Sequence, residues 1–199
     1  MTSSNSPELE SAKADSACAD IDELAYRARQ RDSAAFEELY ALFWPRLNQF
    51  LRVRLRGTQV DPEDVTQEAF AKAWASIDRF DAQHRFSTWL YTIALRTATD
   101  ARRRLTTAYQ RRETVAIRDE CLDGDLVGQA DEVENIWSIA KSKLTTEQYT
   151  VLWLRFGEDM SIKEVAAAVN RTQVAIRVLL FRARKRVREF YDVSSQEPT

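Results

Sequence analysis

The chain has 199 residues, 44% of them hydrophobic, and a formal net charge of −2. That apolar content is enough for a folded core. No apolar run reaches membrane-spanning length, and the N-terminal residues lack the apolar stretch of a signal peptide, so we expect a cytoplasmic protein without membrane insertion. Cys18 and Cys121 stand far apart without metal-ligand spacing, which argues against a structural disulfide or a zinc site. Only four Gly and four Pro occur, and strand-like alternation is absent, so the composition predicts an all-α fold.

The small net charge conceals two regions of opposite sign. Every charged residue from Arg171 to Arg188 is basic, whereas every charged residue from Asp119 to Glu134 is acidic. Clustered Arg and Lys side chains provide affinity for nucleic-acid phosphates. The C-terminal stretch is therefore a candidate nucleic-acid surface, and the acidic stretch is either a plain spacer or a functional polyanion.

The first helical segment follows a polar start. Residues 1–19 contain almost no large apolar side chains, so they are predicted to be a disordered tail. Apolar residues then recur at helical spacing from Ile21 through Phe36 to Leu47, and Pro45 predicts a break or kink in this segment.

The stretch DPEDVTQEAFAKAW, residues 61–74, predicts a capped amphipathic helix. Asp61 is the expected N-cap and Pro62 the first helical residue. An apolar stripe from Val65 to Trp74 would face the core. The opposite face presents the polar side chains of Asp64, Gln67, Glu68 and Lys72.

A further helix is predicted over residues 88–104, with Ser87 as its cap. Leu90, Ile93 and Ala94 fall on a packing face. Beyond this helix the periodicity fades, so residues 106–135 are predicted to be a flexible acidic linker between a first small helical domain, residues 20–105, and a second, residues 136–191. The other face of the helix predicted over residues 88–104 carries Trp89, Thr92, Arg96, Thr99 and Arg103.

The second domain has the layout of a helix-turn-helix. Residues 145–148 form a capping-box sequence that opens a helix ending at Gly157, and Ser161 begins a short helix. A tight turn at Asn170 leads to Thr172, the expected cap of a long basic helix that continues to about residue 191, before a tail at residues 192–199. The second helix of such a motif enters the DNA major groove. Its inward residues are Ile176, Leu180, Ala183 and Val187, and its outward residues include Gln173, Arg177, Arg184 and Arg188.

Enzymatic sites are weakly supported by this sequence. Asp64 and Glu68 could form a catalytic pair or half of a metal site, but the only histidine, His84, stands in a loop without a spaced partner. The glycines are isolated and form no phosphate-binding loop. We therefore expect no catalytic residue, no metal and no cofactor.

These motifs, in this order, resemble the extracytoplasmic-function (ECF) group of bacterial sigma factors, the smallest members of the sigma-70 family. Residues 61–74 are similar to the family's region 2.2, residues 79–104 to regions 2.3 and 2.4, and residues 144–190 to region 4. The resemblance covers residues 21–190 apart from the linker. It implies two helical domains and three partners, namely core RNA polymerase, promoter DNA and an anti-sigma protein.

The resemblance also implies a division of labour among the residues. Region 2.2 docks on core polymerase, and the corresponding side chains here are Asp61, Asp64, Gln67 and Glu68. Regions 2.3 and 2.4 melt the −10 element and hold a flipped base in a loop, here residues 78–86, a step that aromatic stacking can favour. The implied −10 contacts are Phe80, His84, Arg85, Phe86, Trp89, Thr92, Arg96 and Arg103. The implied −35 contacts are Arg171, Thr172, Gln173, Arg177, Arg182 and Arg184.

Three alternatives to a promoter-opening sigma factor remain open at this point. The chain departs from the family pattern at Arg96, Asn170, Val174 and Leu179, which motivates a sigma-like adaptor or decoy that binds polymerase or an anti-sigma protein without opening DNA. A conventional helix-turn-helix regulator would usually need a dimerisation helix, and none is evident in the sequence. An enzyme would require a turnover that depends on Asp64.

Overall fold

The computed structural model describes residues 20–110 and 132–194, and the regular structure within these two ranges is helical. This confirms the all-α prediction. Most of the predicted linker and the first 19 residues lie outside the described ranges. The helices are α1 (residues 20–29), α2 (Ser33–Arg54), α3 (Pro62–Ala75), a short 3₁₀ turn (Ile77–Arg79), α4 (Phe86–Gln110), α5 (Glu132–Lys143), α6 (Thr146–Leu152) with a π-helical extension (Trp153–Gly157), α7 (Ile162–Val169) and α8 (Gln173–Ser194).

Helices α1 to α4 form the first unit, in which α3 packs against both α2 and α4. Helix α2 begins after Asp32, whose side chain accepts hydrogen bonds from the backbone N–H groups of Ala34 and Ala35. It runs through Pro45 without ending, contrary to the predicted break. Pro45 and Ala41 are both exposed, so the carbonyl that Pro45 leaves without its helical donor faces solvent.

The predicted start of α3 is confirmed. The Asp61 carboxylate accepts a 2.8 Å hydrogen bond from the backbone N–H of Glu63, and Pro62 is the first helical residue. The apolar stripe, including Val65 and Phe70, is buried. Helix α4 begins at Phe86, so Ser87 lies inside the helix and is not its cap.

Helices α5 to α8 form the second unit, in which α8 contacts the other three helices. Both predicted capping sequences are present: Thr145 caps α6 with Gln148, and Ser161 caps α7 with Glu164. Asn170 adopts a left-handed backbone conformation with φ of 54°, which ends α7 and turns the chain into α8. The helix-turn-helix prediction is therefore confirmed.

The two units share a continuous hydrophobic core, a contact that the sequence analysis did not predict. Helix α2 packs on α6, and α4 packs on α7. At this junction the rings of Phe50 and Tyr91 lie 5.2 Å apart, while Phe50 also faces Tyr149 and Trp153 across the units. Aromatic side chains of this size supply much of the apolar area of a core.

The helices extend beyond the predicted domain boundaries. Helix α4 continues past residue 105 to Gln110, and α5 begins at Glu132 rather than at residue 136. Helix α8 likewise continues to Ser194. None of the helices in the described ranges combines the length and the apolar character needed to cross a membrane.

Candidate nucleic-acid interface

The acidic face of α3 is accessible in the folded chain. Asp61, Asp64 and Gln67 are exposed. Glu68 is half-buried, and its carboxylate forms ion pairs of 2.9 Å with both Lys72 and Arg104. The hydrogen bonds from Lys72 and then Arg104 lower the pKa of Glu68 below its ordinary value. Three of the four predicted polymerase-contacting residues are therefore open to a partner, whereas Glu68 already has basic partners within the chain.

The loop before α4 presents fewer aromatic rings than predicted. Phe80 and Phe86 are buried, with relative exposures of 3% and 0%, because their rings pack on each other and Phe86 also packs on Phe43. This is a correction to their assignment as DNA contacts, since neither ring is accessible in this structure. His84 and Arg85 are exposed, as predicted for a contact surface.

Trp89 occupies an intermediate position on α4. Its ring is half-buried and lies 5.4 Å from Phe80 and 5.8 Å from Phe86, so the core aromatics support one of its faces. Thr92 is also half-buried, and its hydroxyl donates a 2.8 Å hydrogen bond to the Thr88 carbonyl. Because its proton is already shared with this carbonyl, the Thr92 hydroxyl is less available to donate a hydrogen bond to DNA. Arg96 and Arg103 lie farther along the helix and are exposed.

The second unit presents a basic surface at the turn and along α8. Ile176, Leu180 and Ala183 are buried as predicted. The Thr172 hydroxyl accepts a 3.2 Å hydrogen bond from the Ala175 backbone, so this side chain caps α8. Arg171 is exposed but forms a 2.8 Å ion pair with Glu147. All six predicted −35 residues are exposed, namely Arg171, Thr172, Gln173, Arg177, Arg182 and Arg184.

Residues predicted to contact different promoter elements line one cleft between the units. Its volume is about 630 Å³, and Arg96 from α4 and Arg171 from the second unit are both in its wall. Thr99 and Asp100 from α4 and Asn170 from the turn are also in its wall. The sequence placed Arg96 and Arg171 on separate domains, so only the tertiary structure brings them together.

Sequence reasoning also missed a polar cluster at the junction of the units. The cluster consists of Arg46, Tyr91, Trp153 and Glu158, and we call it the interunit cluster. Burial raises the pKa of the Tyr91 hydroxyl well above its ordinary value and also raises the pKa of the Glu158 carboxyl. No sequence signal distinguished Glu158 from an exposed loop acid, because it follows Gly157 in a polar segment.

Metal binding has no visible basis in the described parts of the chain. Within residues 20–110 and 132–194, no group of three or more His, Cys, Asp or Glu side chains is arranged to hold a metal ion. The described residues include an exposed acidic face on α3 and an exposed basic face on α8. Such an arrangement suits a protein partner and a polyanion, respectively.

Comparison with known proteins identifies two family matches along the chain. Residues 39–107 match Sigma-70 region 2, and residues 140–187 match Sigma-70, region 4. The chain is 28% identical over 174 residues to the ECF RNA polymerase sigma factor SigW of Bacillus subtilis, an alignment that covers 82% of this chain and 92% of SigW. It is 30% identical over 173 residues to the RNA polymerase sigma factor NccH of Alcaligenes xylosoxydans xylosoxydans, covering 84% and 92% of the two chains.

A solved structure agrees with these sequence matches. The chain is similar to CnrH in its complex with the cytosolic domain of CnrY, with a TM-score of 0.55 and 26% identity. The alignment covers 87% of this chain and 98% of CnrH. The similarity therefore extends across both units.

Proposed function

The chain belongs to the sigma-70 family of RNA polymerase sigma factors, in its ECF group, and from this premise we propose that it binds core polymerase, recognises the −35 and −10 elements of a promoter and opens the DNA. In this proposal the chain catalyses no reaction itself and acts in the cytoplasm, where the polymerase and the promoter are found. The observation that carries this proposal is the separation of charge between the exposed acidic face of α3 and the exposed basic face of α8.

The acidic face of α3 is the proposed polymerase-docking surface. Asp61, Asp64 and Gln67 are exposed there, and carboxylates would be repelled by promoter phosphates. They favour a basic protein surface, which electrostatic attraction can steer into contact. Glu68 supports this surface by holding Arg104 of α4 against α3.

The exposed part of α4 and the preceding loop are the proposed −10 surface. His84, Arg85, Arg96 and Arg103 can reach DNA, and the accessible part of Trp89 can stack on an extruded base. Phe80 and Phe86 contribute by supporting the Trp89 ring from the core.

The start of α8 is the proposed −35 reader. Gln173 and Arg177 are one turn apart on its exposed face, where amide and guanidinium groups can reach base edges in the major groove. Arg182 and Arg184 follow farther along and suit phosphate contacts, which add affinity without sequence preference. Val174 lies between Gln173 and Arg177, is 67% exposed, and offers an apolar surface of the kind that contacts a thymine methyl group.

An anti-sigma protein is the proposed regulatory partner. The related CnrH was solved in complex with the cytosolic domain of CnrY. The two chains align over nearly the whole of CnrH, so a comparable protein could bind the present chain.

Promoter-dependent transcription with purified core polymerase tests the proposal. Transcripts induced by overexpressing the chain would identify candidate promoters, and each would then be transcribed in vitro with core polymerase with and without the chain. We expect chain-dependent initiation and permanganate-reactive thymines at the −10 element. Tight polymerase binding without reactive thymines at any of these promoters would contradict the proposal and favour the adaptor alternative.

A further inference from the structure

Helix α8 carries an exposed apolar stripe on the side opposite its buried face. Val174, Val178 and Phe181 recur at intervals of four and three residues, so they lie on successive turns of one side of the helix. Their relative exposures are 67%, 43% and 69%, and Val174 and Phe181 are the two most exposed large hydrophobic side chains among the described residues. An exposed apolar surface of this kind commonly marks a binding site.

Cationic side chains flank the stripe on both sides. Helical geometry places Arg182 on one side of it and Arg184 on the other, and both are exposed. Every charged residue from Arg171 to Arg188 is basic. This positive charge favours a polyanion as the partner of the stripe. The major groove of DNA offers a matching arrangement, because phosphates border it on both sides and base edges form its floor.

The position of the stripe within the helix-turn-helix favours contact with base edges. Val174 and Val178 lie in the first two turns of α8, which begins at Gln173. In a helix-turn-helix this part of the second helix contacts base edges in the major groove. Phe181 lies in the third turn, beyond this part of the helix. Val174 and Val178 are thus the apolar side chains that the motif turns toward the bases.

A valine side chain can recognise one feature of the major groove. It has no hydrogen-bonding group, and thymine is the base that presents a methyl group in this groove. Valine also has one strongly preferred rotamer in a helix, so its methyl groups are held in a fixed position. Each exposed valine of α8 therefore provides a fixed apolar contact that distinguishes thymine from cytosine, which lacks the methyl group.

The spacing of the two valines sets the spacing of the thymines. An α-helix rises about 1.5 Å per residue, so Val174 and Val178 are separated by about 6 Å along the helix axis. Successive base pairs are about 3.4 Å apart, so this distance corresponds to about two base-pair steps when the helix follows the groove. The two methyl groups can belong to thymines on either strand.

We propose that Val174 and Val178 recognise two thymine methyl groups, about two base-pair steps apart, in the −35 element. This assignment rests on the proposed −35 recognition by α8 and identifies bases that the element must contain. Gln173 and Arg177 can form hydrogen bonds with base edges, whereas the valines select by apolar contact. Loss of one buried methyl contact should lower the affinity for the promoter about fourfold.

Promoter selection by the chain bound to core polymerase provides the first test. This complex binds a promoter library in which the −35 element is randomised, and the bound promoters are sequenced. We expect thymine enrichment at two positions about two base-pair steps apart. Val174→Ser should remove the enrichment at one of these positions, and Val178→Ser should remove it at the other. Both substitutions should leave the fold intact because both valines are exposed.

Leu42→Ser is the matched control for the two serine variants. Leu42 is 52% exposed on α2, so this substitution makes a comparable change from an apolar to a polar side chain outside the helix-turn-helix. The control should retain both thymine preferences. Loss of either preference in Leu42→Ser would overturn the assignment of that preference to a valine of α8.

Deoxyuridine in the selected promoter isolates the methyl group itself. Replacing thymidine by deoxyuridine removes the 5-methyl group and keeps the base pair. The native chain on polymerase should bind about fourfold more weakly for each replacement, whereas each serine variant should be insensitive to replacement at its own position. The comparison is a double-mutant cycle between one side chain and one methyl group. No loss with the native chain, or the same loss with the serine variants, would overturn the proposal.

The remaining outcomes show which assignment has failed. If the complex enriches a −35 element whose binding does not depend on thymine methyl groups, the valine assignment is wrong while −35 recognition stands. If it enriches no −35 element at all, the proposed −35 recognition is wrong as well. If both serine variants bind polymerase more weakly and keep the native promoter preference, the stripe contacts a protein and the assignment to DNA is wrong.

Discussion

The buried indole N–H of Trp153 donates a 3.2 Å hydrogen bond to the buried hydroxyl of Tyr91, joining the π-helical extension of α6 to the second turn of α4. These residues belong to separate units, so the hydrogen bond exists only while the units are packed together. Its loss should weaken the packing of the two units on each other before it affects the local structure of either helix.

We expect Trp153→Phe to destabilise the folded chain by about 1–3 kcal/mol, because the Tyr91 hydroxyl loses its donor while staying buried. Denaturant unfolding followed by far-UV circular dichroism measures this change. The control is Trp44→Phe, since the Trp44 ring stacks on Tyr40 within the first unit. A free energy of unfolding equal to that of the native chain would contradict the role assigned to this hydrogen bond.

The stability contribution of Glu158 should fall as the pH rises. Burial raises the pKa of its carboxyl above the ordinary value of 4.5, although Arg46 acts in the opposite direction. The folded chain therefore binds the proton more tightly than the unfolded chain. The contribution is complete below the unfolded pKa and is lost as the pH rises through the folded pKa.

Glu158→Gln removes this titration and keeps a side chain of similar shape. We expect the free energy of unfolding of this variant, relative to the native chain, to increase between about pH 4 and pH 8. Urea unfolding at a series of pH values measures the trend. A difference that stayed constant across this range would show that Glu158 does not titrate differently in the folded and unfolded states.

Glu68→Gln is a control of opposite sign. The Lys72 and Arg104 hydrogen bonds lower the pKa of Glu68, so its contribution to stability is present above the unfolded pKa and is lost as the pH falls through the folded pKa. The native chain should therefore gain stability over this variant as the pH rises from the acidic range. Equal pH trends for the Glu158 and Glu68 variants would contradict at least one of the two assignments.

Asp64→Lys should weaken core polymerase binding by about tenfold or more and leave the binding of isolated DNA intact. The substitution places a cation on a surface proposed to meet basic polymerase residues, and like charges at an interface are strongly unfavourable. Fluorescence anisotropy with labelled chain measures the affinity. Glu38→Lys makes the same charge change at an exposed position on α2 and should bind as the native chain does.

Arg177→Ala should reduce −35 selectivity by about 1–3 kcal/mol without altering polymerase binding, because a guanidinium contact with a guanine edge would be lost. Competition between promoters with native and altered −35 elements measures selectivity. Arg186→Ala removes an exposed cation from the same helix and should leave the promoter preference unchanged. If Asp64→Lys and Arg177→Ala produced the same defect, the proposed division between α3 and α8 would be wrong.

Local signals in the sequence predicted the starts of several helices. The caps at Asp61, Thr145 and Ser161 were predictable because a capping side chain bonds to backbone two or three residues away. The turn at Asn170 and the buried face of α8 were predictable for the same short-range reasons. Family similarity then supported the assignment of the two units.

Some local predictions failed because tertiary packing determined the outcome. The family resemblance implied that Phe80 and Phe86 contact DNA, yet neighbouring aromatic rings bury both. Pro45 did not break α2 because its missing hydrogen bond lies on a solvent-facing side of the helix. A single sequence specifies the composition around such residues without specifying which elements enclose them.

Hydrophobic periodicity and capping act over a few residues, so they were enough to predict a helical chain, the first residues of several helices and the acidic or basic character of helix faces. The contact of Arg46 with Glu158, the contact of Tyr91 with Trp153 and the cleft shared by Arg96 and Arg171 could not be predicted from the sequence. These contacts join residues far apart along the chain, and their formation depends on how two separately amphipathic units bury their remaining apolar surface against each other.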